Sequence, residues 1–444
     1  MSSDLPLSFF SVLSLVVLMG VYFFLITERI NKVIVAGIGA AFLVLMQVFR
    51  SSVHSSQENA VQFIAHNLDI LGFVVGMMIL IGIVRDSGAF EALAIWLVKK
   101  VRGNHYLLLA VIGYLTLLMT MFFSNIPTIL IMTPIVLILV KELKLPYLPY
   151  IFVMISLANL GGAMTPISDP TTYYQAKTVG LSFAEVLSNS GLIASLLSTI
   201  TIAYTAFAFR KQLKPISIDP ESVRLFEPAK AIRNRRLLYR GMPLLGLTIL
   251  LMTMREPIAQ LTGITFDNAT IAMGAAFLAM LIFHREPKKV FRYLIDWEIL
   301  FFFMGLFIIV GALEFTEIIS WLGRTLVEVF GSNMTLLTLV MTVGSGVIST
   351  FIDNVPYNIT MVGAVQEMAK SGMDVYPLWW ALNLGTSIGG MGSPIAAACN
   401  VIGFGQAEKE GYHTSFGQYL LIAFPLVILN SLLTFGAIWL LYLR

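Results

Sequence analysis

Cysteine occurs once in 444 residues, at Cys399. That excludes an internal disulfide and a Cys-rich metal site. Charge is also scarce: Asp, Glu, Lys and Arg make up 12% of the chain, against about 25% in an average soluble domain. The five histidines, His54, His66, His105, His284 and His413, are scattered and read as loop residues, so no His metal cluster is expected. There is no His-Glu-x-x-His, no Asp-Asp-x-x-Asp and no Walker signature, which argues against an enzyme. No basic segment precedes the apolar run 7–26, so it reads as a first span rather than a cleavable signal. The small net charge of +3 gives no reason to expect a nucleic-acid partner.

Apolar residues fill the space that charge leaves. The chain is 57% hydrophobic, with a mean hydropathy of +0.85. It reads as an all-α polytopic protein of a cell membrane, in contact with the lipid bilayer along most of its length. Runs 7–26, 33–49 and 70–84 are the first spans, and 90–101 reads as an amphipathic interfacial arm. Residues 106–140 are cut by Ser124, Asn125 and Pro127, which suits a re-entrant helical hairpin. A broken span follows at 148–176 and a last one at 183–209. After a charged, proline-containing stretch, the plan recurs with spans at 242–254, 264–283 and 297–313. An arm follows near 318–330, then a hairpin at 336–368, a broken span at 378–405 and a final span at 416–443. The expected organisation is a first transmembrane repeat (1–210), a basic cytoplasmic linker (211–239) and a second repeat (240–444).

The recurrence has a constant register. Asn125 and Pro127 match Asn354 and Pro356 at an offset of 229, as Gly76 matches Gly305 and Gly82 matches Gly311. Past one gap, Gly161 matches Gly389 and Pro166 matches Pro394 at 228. Five spans plus one hairpin per repeat make the copies antiparallel, an inverted repeat. Of the 28 Lys and Arg residues, 22 fall on one side if both termini are outside, so the linker is expected in the cytoplasm.

Polar breaks at membrane depth are costly unless they line a site. Two clusters of oxygen donors are therefore the candidate ion and substrate site. The first holds Ser124, Asn125, Thr128, Gly162, Thr165 and Asp169; the second holds Asp353, Asn354, Asn358, Gly390, Ser393 and Asn400. Hydroxyl, amide and carboxylate oxygens suit Na⁺, and Ser124, Asn125, Asp353 and Asn354 are the expected contacts. Asp169 and Asp353 could instead cap the half-helices that follow them. Asp86, Glu314 and Lys177 read as interfacial residues.

The Ser124-Asn125-x-x-Thr128 tip resembles the Ser-Asn-Thr motif of the divalent anion/sodium symporters. Asp353-Asn354 and the Gly161–Pro170 pattern are more similar to the arsenite permease and NhaD-type sodium/proton antiporter branch of the ion transporter superfamily. The resemblance implies a homodimer whose scaffolds carry mobile, elevator-type transport domains with cation sites at both tips. It departs at Ser124, where the antiporters usually have Asp, and at Val355, where the anion symporters repeat their Thr. The expected activity is secondary transport of a small inorganic or carboxylate anion coupled to Na⁺ or H⁺, with no other cofactor. A Na⁺/H⁺ antiporter is the alternative, and an ion channel a more distant one.

Overall fold

A computed structural model describes residues 8–27, 30–52, 54–89, 92, 93, 96, 104–213, 228–264, 266–330 and 333–444. Among them every regular element is helical. Among the described residues seven helices are long and apolar enough to cross a membrane: Leu68–Arg85, His105–Phe123, Phe183–Ala208, Arg235–Arg255, Trp297–Phe315, Met334–Phe351 and Phe416–Leu443. Shorter apolar helical stretches lie before and between them, at Phe9–Phe24, Lys32–Leu45, Asn125–Lys141, Tyr147–Gly162 and Asn268–Ile282.

Polar residues at the edges of the apolar runs set the helix starts. Asn104, Asn234, Asp267, Asp296, Asn333 and Ser415 each accept a hydrogen bond from a backbone N–H of the first turn. Such a cap satisfies a donor that would otherwise have no partner, and is worth about 1 kcal/mol.

The core is built from two helices that are buried on every side. Every residue of Pro149–Gly162 is buried in Tyr147–Gly162, and every residue of Pro377–Gly390 in Tyr376–Gly390. Their apolar residues run around the whole circumference, the pattern of a helix with no solvent or lipid face. Each ends in Gly-Gly where backbones approach closely. A Cβ on Gly161 would come within 2.9 Å of Leu117 O, and one on Gly389 within 2.7 Å of Gly346 O. Helix Tyr147–Gly162 packs on His105–Phe123, and Tyr376–Gly390 on Ser345–Phe351.

A second group of helices flanks this core. Leu68–Arg85 packs on Asn268–Ile282, and Lys32–Leu45 on Trp297–Phe315. Gly76 and Gly305 make these crossings close: a Cβ there would lie 2.6 Å from the Ala272 carbonyl carbon and 3.0 Å from that of Ala36.

Several sequence expectations change in detail. Helix Ser56–His66, held by a Ser55/Glu58 capping box, falls in a stretch read as a loop, because its polar composition escapes a search for apolar runs. The short helix Pro287–Tyr293 escapes for the same reason. The span expected at 242–254, with an extension towards Leu237, is a 28-residue helix, Arg235–Thr262, so its first turn carries Arg235 and Arg236, assigned to the linker, and it runs on past 254. The arm at 90–101 lies almost wholly outside the described residues, as do linker residues 214–227. The second arm is the helix Ile318–Phe330, which packs along Asn354–Lys370 through buried Ile318, Ile319 and Gly323. His66 and His105 sit in helices rather than loops, and buried His105 hydrogen-bonds the Tyr150 hydroxyl at 2.8 Å.

Candidate functional site

Four helix interruptions converge on one cavity. Helix His105–Phe123 stops at Ser124, a non-glycine residue with φ +61°, and Asn125–Glu142 begins at once. Ser345–Phe351 gives way to Asn354–Lys370 across Ile352 and Asp353. The two buried helices end at Gly162 and Gly390, and new helices begin at Pro170 and Ala398. Ser124, Asn125, Asp169, Asp353 and Asn354 all line a single cavity of about 450 Å³. Both sequence-derived tips therefore face the same space.

Around Asn125 and Asp169 the hydrogen bonds are nearly complete. Asn125 Nδ2 donates to Asp169 Oδ2 at 2.9 Å. Asp169 Oδ1 accepts from the Thr171 N–H at 3.0 Å and from the Thr171 hydroxyl at 2.9 Å. Asp169 is thus both the cap of its helix and part of the cavity wall. It is 3% exposed, and Gly162 leaves it room, since a Cβ there would stand 3.0 Å from Asp169 Oδ2. Asp353 also caps, accepting from the Val355 N–H at 3.0 Å through Oδ1. Its other oxygen has no hydrogen-bond partner among the described residues. Asn125 Oδ1 accepts from the Ile126 N–H at 3.0 Å, and both Asn125 and Asp353 line the cavity with hard oxygen donors.

The remaining candidates stand behind the wall. Thr128 bonds Ser124 O at 2.8 Å. Thr165 donates to Met121 O at 2.6 Å, and Ser393 to Thr350 O at 2.7 Å, the same clamp at matching positions. Asn400 donates to Gly390 O at 2.7 Å and Ser393 O at 2.8 Å. Thr172 Oγ1, at the matching position, lies 2.9 Å from Gly162 O. Asn358 is elsewhere: it is fully buried, its Nδ2 is 3.4 Å from Gln175 Oε1 and Thr386 Oγ1, and it does not line the cavity.

Amides join the two breaks. Asn159 Nδ2 donates to Asn400 Oδ1 at 2.9 Å, and Asn383 Oδ1 lies 2.9 Å from Thr172 Oγ1. Neither Asn159 nor Asn383 was singled out from sequence, although an Asn inside a wholly apolar run is itself a signal.

Cations at the cavity were also missed as site residues. Lys32 and Arg85 line it, half-buried, and form no ion pair among the described residues. Lys32 Nζ instead sits 5.2 Å from the centre of the Phe302 ring. Asp296 and Glu298 line the same end, where Asn31 donates to Glu298 at 3.2 Å. Outside the cavity, Asp86 pairs with Arg285 at 2.9 Å, and Lys177 is bound to Asp69 at 2.5 Å and to His66 O at 3.0 Å. No group of three or more His, Cys, Asp or Glu residues capable of holding a metal occurs among the described residues.

Residues 22–385 match the family described as citrate transporter (CitMHS). A 46 kDa membrane protein of Mycobacterium leprae is 29% identical over 98% of this chain and 99% of its own length. An uncharacterized transporter of Mycobacterium tuberculosis is 28% identical, covering 92% of this chain and 93% of its own. The P protein of Mus musculus is 23% identical over 96% of this chain and 59% of its own length. Among solved structures, the YdaH transporter of Alcanivorax borkumensis shares the fold, with a TM-score of 0.59 at 15% identity over 86% of each chain.

Proposed function

Because this chain belongs to the citrate transporter family, and is thereby a multi-pass membrane protein that moves a small solute by secondary transport, we propose that its cargo is a small anion, carboxylate or inorganic, coupled to Na⁺ or H⁺. The observation that carries this reading is the cavity itself. Lys32 and Arg85, without carboxylate partners among the described residues, share its wall with the oxygen donors of both tips. Cations held in no ion pair attract an anion, as does the partial positive charge of the helix starts at Asn125 and Asn354, while the oxygens of Asn125 and Asp353 offer a place for a cation. A cavity of about 450 Å³ is ample for a tricarboxylate, since small-ligand sites begin near 300 Å³.

The site works in two antiparallel repeats, 1–210 and 240–444, joined by a cytoplasmic linker, each with a re-entrant hairpin and both termini outside. Three observations support that reading. The Thr165 and Ser393 clamps occupy matching positions. Gly76 and Gly305 meet Ala272 and Ala36 in reciprocal crossings. The ion pairs Asp86 with Arg285 and Asp69 with Lys177 each join residues assigned to one side of the membrane. The hairpins and broken spans move together, elevator-fashion, against a scaffold that forms the homodimer.

Uptake of labelled citrate and of smaller carboxylates and inorganic anions into proteoliposomes, with imposed Na⁺ or proton gradients, tests the proposal. Gradient-dependent anion uptake is expected. A second reading, a Na⁺/H⁺ antiporter of the arsenite permease and NhaD-type branch, is favoured by two carboxylates, Asp169 and Asp353, in one cavity. Na⁺-driven proton flux with no anion present, and no anion uptake, would establish it and sink the first.

A further inference from the structure

Two cavities stand back to back at one aromatic pair. Phe73 lines the large cavity, and Tyr173 lines a second, smaller one of about 80 Å³. Their rings stack at 4.0 Å between centres with an angle of 11°. Both residues are 3% exposed, so the stack is a packed partition one ring pair thick.

The partition has a second rung. Helix Leu68–Arg85 carries Asp69 and Phe73, one turn apart; helix Pro170–Val179 carries Tyr173 and Lys177, also one turn apart. Residues four apart share a helix face. Asp69 meets Lys177 at 2.5 Å and Phe73 meets Tyr173, so the partners run in antiparallel order. One turn further, Met77 and Asp169 both line the large cavity, and the contact ends. We infer that Asp69–Lys177 and Phe73–Tyr173 are a two-rung latch that closes the outer end of the transport path and must part for the cavity to open there.

The second half supports this by contrast. At the repeat offsets, Asp69 and Phe73 correspond to Glu298 and Phe302, and Tyr173 and Lys177 to Val401 and Gly405. Glu298 and Phe302 line the large cavity. At the other two positions valine has no ring to stack and glycine no charge to pair; a Cβ on Gly405 would meet nothing within 4 Å. One seam is zipped and its counterpart lies open, the arrangement of a single state in an alternating-access cycle.

The inference rests on the alternating-access reading, but its test needs no cargo. In a Cys399→Ser background, Met78→Cys places one thiol on the cavity wall. A membrane-impermeant maleimide is applied to either face of oriented vesicles. With the latch intact, labelling is expected from the cytoplasmic face only. Lys177→Gln or Tyr173→Ala should raise outer-face labelling about fivefold, the population shift for loss of roughly one weak contact. Outer labelling that is equal with and without the latch would overturn the inference. If Tyr173→Ala fails to elute as a single species in detergent, Lys177→Gln and Asp69→Asn, at partly exposed positions, carry the test alone. Loss of transport with unchanged labelling would count against the latch and leave the transport reading standing.

Discussion

Asp169 and Ala397 occupy the same position in the two halves of the chain and the same backbone conformation, φ −139°, ψ 135° and φ −146°, ψ 146°. Each is the residue before a helix that restarts after a Gly-Gly break. One carries a carboxylate that caps the helix and holds Asn125. The other carries a methyl group and caps nothing. The Asn-x-Pro breaks differ in the opposite sense, with Ser124 before the first and Asp353 before the second. At these breaks each half therefore brings one carboxylate to the cavity, Asp169 from a restart position and Asp353 from a tip, while Asp296 and Glu298 line it elsewhere. In the repeat proposed above the chemistry is divided between the copies, and coupling-ion choice is expected to follow the carboxylates rather than the shared Asn-x-Pro.

The largest effect is expected at the amides and carboxylates of the tips. Asn125→Ala and Asn354→Ala should each abolish measurable uptake while leaving the elution profile in detergent unchanged; near wild-type uptake in both would remove the two-tip site. Asp169→Ala should lose about 100-fold or more in rate, because it removes a buried hydrogen-bonded charge worth ~3 kcal/mol. Asp169→Asn keeps an acceptor for the Thr171 N–H, so an equal loss would assign the defect to charge and a mild one to capping. Next, Lys32→Gln and Arg85→Gln should each raise the KM for the anion about tenfold, equivalent to ~1.4 kcal/mol, with little change in maximal rate. Unchanged KM in both would favour the antiporter reading. Gly76→Val and Gly305→Val should be destabilising to a similar extent, by ~1–3 kcal/mol, since each forces a Cβ against backbone. Thermal unfolding in detergent would show whether the two crossings are as alike as their geometry. Smallest, Asp86→Asn should shift stability by less than ~1 kcal/mol, because its pair with Arg285 is 35–39% exposed.

The breaks were legible because membrane depth makes polar and helix-breaking residues expensive, so Asn125, Asp169, Asp353 and Asn354 stand out in an apolar run. Their meeting in one cavity is what the constant offset between the two motifs leads one to expect. Lys32 and Arg85 were not legible as site residues, since a cation at a span end looks the same whether it fixes topology or faces a cavity. Only tertiary structure separates those roles. Asn358 shows the reverse: next to a tip in sequence, it turns away and packs against Gln175. Helix Ser56–His66 was missed because its stability comes from a capping box and packing, and neither leaves a long apolar run.

The bonds between Asn159 and Asn400, and between Asn383 and Thr172, tie the halves where they differ most. Under the repeat proposed above, a protein assembled from two identical half-chains would hold Asp at both restart positions or at neither. Covalent fusion removes that constraint: each copy is free to drift, provided its partner amide drifts with it. The present chain can be viewed as the settled outcome of such a duplication. Co-expressing residues 1–210 and 211–444 as separate polypeptides should then restore function, whereas pairing either piece with itself should not.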